Sequence, residues 1–162
     1  MSMRKAVVLL AMLAPAGAAV AQVTCPPPVV KVWQNNQEVP SAGAPFAPKM
    51  TVLVSASPAC AHGNSYRFRE AEVTLARGRH PVTATMVVHG PEVDLGDFAR
   101  IAQPGDRIHI FVQYKNLYVV AADGTLRPYP RLALSEEQQR GMNANLITDE
   151  ARGIGFNWVL QK

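Results

Sequence analysis

Between positions 107 and 114 the chain alternates without a break. Ile108, Ile110, Val112 and Tyr114 occupy one set of positions, and Arg107, His109, Phe111 and Gln113 the other. Successive side chains of an extended strand point to opposite faces, so this run has one apolar face only as a β-strand. A helix would scatter the same residues around its circumference. The period recurs along the chain. Met50, Val52, Val54 and Ala56 share a face of 49–56, and Ala71, Val73 and Leu75 share a face of 66–77. Val82, Ala84, Met86 and Val88 do so in 82–89, and Phe156, Trp158 and Leu160 in 156–161. Residues 29–33, rich in valine, add a first strand.

Turn chemistry separates these runs. Gln34-Asn35-Asn36-Gln37 is a polar turn, and 40–48 carries Pro40, Gly43, Pro45 and Pro48, which predicts a loop. Pro104-Gly105 suits a type II turn, because proline presets φ and glycine accepts a positive one. Asp123-Gly124 between 117–121 and 125–129 is a hairpin signal. Leu95, Phe98 and Ile101 recur at helical spacing, which predicts a turn or two of helix within 93–102. Ser135-Glu136-Glu137-Gln138 has the form of a capping box, predicting a short helix to about Met142, with 143–155 as loop. Seven or eight short strands at this spacing predict an all-β fold, an immunoglobulin-like antiparallel β-sandwich with one or two short helices.

The start of the chain reads as an export signal. A basic opening with Arg4 and Lys5 precedes an apolar run over 6–13, then Pro15 and Gly17, then Ala19-Val20-Ala21. That is the plan of a cleaved secretory signal at 1–21, leaving 22–162 as a single domain. The apolar run is about half the ~20 residues a membrane span needs. No small-residue lipobox precedes Cys25. The formal charge of +4 falls to +2 once Arg4 and Lys5 are gone. So weak a charge over such a length provides no nucleic-acid footprint. Arg67, Arg69, Arg77 and Arg79 can be read as a solvated rim around one hairpin or as a patch for an anionic partner. Cys25 and Cys60 are the two cysteines, and an oxidising compartment favours a disulfide between them over free thiols or metal ligation.

Chemistry is sparse. No nucleophile-elbow, His-Glu-x-x-His or Cys-x-x-Cys pattern occurs, and Gly153-Ile154-Gly155 reads as a turn. The histidines are His62, His80, His89 and His109. His89 and His109 are the candidate metal ligands, on the premise that they face each other across a sheet. The acidic pairs lack the aromatic platforms of a glycan cleft. A non-enzymatic protein without a cofactor is the expectation. The outward residues Arg107, His109, Phe111 and Gln113 are the partner-binding candidates; Phe111 and Val87, apolar side chains on the polar faces of their strands, can be read as covered by another part of the chain, such as the C-terminal segment, or as an exposed patch for a partner.

Residues 68–134 run through a strand ending Leu75-Ala76-Arg77-Gly78, a hairpin strand and a short apolar segment. Gln103-Pro104-Gly105-Asp106-Arg107-Ile108 and Asp123-Gly124-Thr125-Leu126-Arg127 follow. This order resembles the C-terminal domain of the gliding-motility-associated protein GldM, of the type IX secretion machinery. The resemblance implies a β-rich, immunoglobulin-like domain that serves in periplasmic assembly and carries no catalytic residues. It covers less than half of the chain, and the family's membrane helix and upstream domains have no counterpart in these residues.

The functional expectation is an exported β-sandwich that binds another protein of the bacterial cell envelope, linked to secretion or motility. The alternative is a periplasmic small-ligand or metal-binding protein using its surface histidines. Thiol labelling of the unreduced protein should detect no reactive cysteine; two labelled thiols would defeat the Cys25–Cys60 pairing.

Overall fold

The structure, a computed structural model, describes residues 25–60, 64–130 and 152–162. The expected signal segment and the 135–142 helix lie outside the described residues, as does His62.

Two antiparallel layers share one core. In the first, β1 (Val29–Gln34) pairs with β2 (Gln37–Glu38) across the Asn35-Asn36 turn and, on its other side, with β4 (Lys49–Ser55). Both asparagines adopt positive φ, 49° and 62°, as a two-residue hairpin of the type I′ class requires. Strand β9 (Glu92–Asp94) completes this layer beside β4. The second layer is built on β10 (Arg107–Gln113), which pairs with β6 (Glu70–Arg77) on one side and β13 (Gly153–Gln161) on the other. Strand β6 also pairs with β7 (His80–Pro81) and β8 (Met86–His89). At the far edge β3 (Ala44–Pro45) runs parallel to β13.

The predicted faces become the core. Val30 and Val32 of β1, with Met50, Val52 and Val54 of β4, line one wall. The facing wall is a cross-strand lattice: Leu75, Ile108 and Trp158 are aligned across β6, β10 and β13, and Val73, Ile110 and Phe156 form the next row. Trp158, Leu75, Ile108 and Ile110 are fully buried. Each large side chain so buried contributes on the order of 1.5–3 kcal/mol.

The long run at 66–77 is broken. It divides at Arg69 into β5 (Ser65–Phe68) and β6, and its partner divides at the same level, where a single 3-10 turn (Tyr114–Asn116) separates β10 from β11 (Leu117–Val120). Arg69 N–H donates to the Asn116 carbonyl, 2.9 Å, across the break. Beyond it β5, β11 and β12 (Leu126–Pro128) form a three-stranded extension in which the rings of Tyr114 and Tyr129 stack 5.2 Å apart.

Other boundaries differ from expectation. Val82 N–H still donates to the Leu75 carbonyl at 2.7 Å, but 83–85 leave the sheet, and of the predicted strand Met86–His89 is the part that pairs as a strand. The apolar crossing segment is β9 followed by one 3-10 turn (Gly96–Phe98), with Leu95 and Phe98 buried as their spacing predicted. The last strand starts at Gly153, inside the predicted loop.

Cys25 and Cys60 form a disulfide, with Cα atoms 5.4 Å apart, tying the lead into β1 to the exit of β4. At the opposite kind of junction, Asp106 is 1 % exposed. Its carboxylate accepts hydrogen bonds from Arg77 Nε and Nη2, at 2.8 and 2.9 Å, and from Gln103 N–H at 2.8 Å. Hydrogen bonding from the Arg77 guanidinium, ahead of the opposing effect of burial, holds the Asp106 carboxyl below the usual carboxylate range. A carboxyl with a lowered folded-state pKa stabilises the fold fully above about pH 4, and that contribution disappears as falling pH passes through the folded value. Asp106→Ala should therefore lower unfolding free energy in urea by about 1–3 kcal/mol at neutral pH, chiefly through the Gln103 N–H left without its acceptor, because the half-exposed Arg77 can hydrate. Asp106→Asn should flatten the loss of stability that the native protein shows below pH 4.

Candidate functional site

Strand β10 is the middle of its sheet, and that decides the fate of its outward residues. Arg107 is exposed, His109 and Gln113 are half-buried, and Phe111 is only 8 % exposed. Phe111 is thus a packing residue: of the two readings of its outward position, coverage by the C-terminal segment is the one formed, and it is no apolar anchor at the surface. The cause lies on β13. Phe111 faces Gly155 and Gln113 faces Gly153 in the strand register, so aromatic rings lie over backbone that carries no side chain. A Cβ at Gly153 would meet the Val112 carbonyl and come within 2.8 Å of Phe111 Cζ and 2.9 Å of Gln113 Cα. At Gly155 the nearest atom would be His109 Nε2, 3.1 Å away. The His109 ring stands edge-on to Phe111, with centroids 6.1 Å apart. Gly153-Ile154-Gly155 looked like a turn; its glycines are floor for two rings.

The histidines do not converge in the way a shared ion needs. His89 lies opposite Glu70 on β6, and His109 opposite Thr74. Four residues of strand separate those levels, about 13 Å. His80 sits in β7 at the other end of the sheet. Among the described residues no group of three or more His, Cys, Asp or Glu side chains could hold a metal.

The arginines also disperse. Arg77 is engaged by Asp106 and also donates to the Ile101 carbonyl at 3.2 Å. Arg69 donates to Asn116 Oδ1 at 3.3 Å, and its Nε lies 3.7 Å from Glu70. Arg67 and Arg69 stand near one end of the β5–β6 run and Arg77 and Arg79 near the other, roughly 25–30 Å along extended chain. Of the two readings of these arginines, a single patch around one hairpin is not formed.

What the fold does gather lies beside β8. Glu70, Glu72, Val87, Gln113 and Asn116 border a cleft of about 30 Å³, with Phe111 at its base. This volume holds about one water. Gln113 donates to Glu72, and Asn116 Nδ2 donates to Glu70 at 3.3 Å. His89 Nδ1 lies 3.9 Å from the same Glu70 carboxylate. Val87 stands at the rim and is 53 % exposed. Strand β8 pairs with β6 and with no other strand among the described residues. The site is an acidic and amide-rich rim around an apolar residue, on a strand that is an edge among the described residues. Its chemistry suits recognition.

No family model matches the chain, and no curated protein or solved structure matches it significantly. No helix among the described residues is long and apolar enough to cross a membrane.

The glycine floor has a measurable consequence. Gly153→Ala should destabilise the fold by about 1–3 kcal/mol, because the clash is with backbone. Gly155→Ala, which meets only the tip of His109, should cost less. Urea midpoints of the two variants compare them directly; equal midpoints would contradict the packing described.

Proposed function

We propose that this is an exported, non-catalytic binding protein of the bacterial cell envelope, which recognises a partner protein by adding a strand to the β8 edge. The observation that carries this reading is Val87, an exposed aliphatic residue on a strand that is an edge among the described residues. Main-chain hydrogen bonds to an added strand would supply affinity, and alternate side chains would supply selectivity. The Glu70 and Glu72 carboxylates beside Val87 favour a partner strand bearing a basic residue next to an apolar one.

Export is supported by the signal-like leader and by the Cys25–Cys60 disulfide, which belongs to an oxidising compartment such as the periplasm. An immunoglobulin-like assignment is supported by the strand order, in which β1-β4-β9 faces β13-β10-β6-β8 with β3 added parallel to β13. A place in a secretion or motility assembly rests on the resemblance over residues 68–134. The histidine-based metal reading receives no support from the separation of His89 and His109.

A photo-reactive residue at position 87, introduced into the protein in envelope preparations, should give one discrete cross-linked partner. The same residue at Leu53, exposed on the other sheet, serves as control. Val87→Asp should weaken recovery of that partner at least tenfold without changing thermal stability. Equal cross-linking from both positions, or none from 87, would overturn the reading.

A further inference from the structure

We infer that the end of the sandwich where β6 finishes and β10 begins is a docking surface for a membrane carrying anionic phospholipid. Three arginines make it: Arg79 in the β6–β7 turn, Arg100 just after the Gly96–Phe98 turn, and Arg107 at the head of β10. All three are exposed, and none of their side chains makes a hydrogen bond or ion pair with a described residue.

Strand pairing gathers them from three separate segments. Arg107 stands opposite Ala76, and Ala76 opposite Pro81, so Arg107 and the β6–β7 hairpin are two strand spacings apart, about 10 Å. Arg79 lies at the tip of that hairpin, where Gly78 turns the chain at φ 62°. Arg100 comes in beside them, because the carbonyl of the next residue, Ile101, accepts from Arg77 Nη2 at 3.2 Å. Leu95 N–H donates to the Pro48 carbonyl at 2.6 Å and fixes the start of the same segment against the head of β4. Arg67 and Arg69 are at the far end of the β5–β6 run, and the fold puts Arg100 and Arg107 in their place.

The acids of this end do not cancel the charge. Asp106 is buried and held by Arg77. Asp94 lies opposite Lys49 and accepts from Gly96 N–H at 2.8 Å, and Glu92 accepts from the Thr51 hydroxyl. Asp97 is the exposed carboxylate that remains, and no ion pair joins it to Arg100. The guanidinium fork matches phosphate oxygens, so a phosphate-bearing anion is the complementary partner. Shape selects a surface over a single phosphate. Arg79 is carried on a hairpin tip and Arg107 follows the exposed Pro104-Gly105 turn, so the charges stand on projecting turns and can meet several headgroups at once.

This end is also continuous described chain. Segments outside the described residues join at Cys25, Cys60, Asn64, Pro130 and Arg152. Register puts all of these at the other end: Val29 pairs with Ser55, Gly153 with Gln113, and β5 and β12 lie in the extension beyond Asn116. Each arginine near an anionic membrane strengthens binding roughly fivefold, and the attraction fades beyond about 8 Å at physiological salt.

The test is sedimentation of the oxidised protein, lacking its 1–21 leader, with vesicles of phosphatidylcholine alone or of an equal mixture with phosphatidylglycerol. Only the mixed vesicles should carry the protein down, and salt of about 1 M should release it. Arg79→Gln, Arg100→Gln and Arg107→Gln should each weaken binding about three- to fivefold, and the triple variant about 30-fold or more, with an unchanged thermal midpoint. Arg67→Gln, Lys115→Gln and Arg127→Gln combined remove the same charge at the far end and should weaken binding less than about threefold. Equal losses from the two triple variants, equal sedimentation with both kinds of vesicle, or greater release by inorganic phosphate than by chloride at the same ionic strength would overturn the assignment. So would a hexaglutamate peptide that binds the protein when the mixed vesicles do not. Cross-linking at Val87 reads a different surface, so either result stands without the other.

Discussion

The Asp106 carboxylate is the constraint on which the second sheet depends. It is buried, and three donors from two separate elements converge on it: Arg77 Nε, Arg77 Nη2 and Gln103 N–H. Its own backbone is equally committed. Asp106 N–H closes the 103–106 turn at 3.0 Å, and its carbonyl accepts from Leu160 N–H at 2.7 Å. Gly105 N–H donates in return to the Leu160 carbonyl at 2.7 Å. The end of β6, the start of β10 and the end of β13 therefore meet at one residue. Such a clamp matters because a one-residue slip in a strand turns every side chain to the wrong face. With Arg107 set opposite Ala76 and Val159, the Leu75–Ile108–Trp158 row follows.

A second polar clamp closes the other end of this ribbon. Asn116 is buried, accepts from Arg69 and donates to Glu70, and its carbonyl takes the Arg69 N–H. It allows both strands to break together and start a new sheet without leaving those groups unbonded. Between the two clamps the interior is apolar and well paired, so this part of the molecule behaves as scaffold. Among the described residues the sheet margins are β8 on one side and β2 and β3 on the other. The partner-strand proposal falls at such a margin, because a sheet can add main-chain bonds only at an edge.

Most of the scaffold was legible in the sequence because period-two alternation is a local property. The inward set Ile108, Ile110 and Val112, and likewise Phe156, Trp158 and Leu160, could be read without knowing any neighbour. So could the Asn35-Asn36, Pro104-Gly105 and Asp123-Gly124 turns, where backbone conformation depends on the residues themselves; Gly105 and Gly124 have φ of 92° and 81°. The candidate sites were less legible. Phe111 sits in an outward position whose burial depends on the partner strand across from it, not on its own strand. The glycines that receive it lie more than forty positions away and resemble a turn when seen alone. Arg69 and Arg77 resembled a basic cluster until pairing placed one at each end of β6.

From residues alone came the β character of the chain, the faces of its main strands, its tight turns and the pairing of Cys25 with Cys60. These follow from steric preference, side-chain period and redox chemistry, which act over short stretches or on single residue types. Tertiary structure decided which strands are central and which are edges. It thereby buried Phe111, parted His89 from His109, and left Val87 exposed. Exposure is a property of neighbours, and neighbours across a sheet are chosen by register over long separations that no local pattern records.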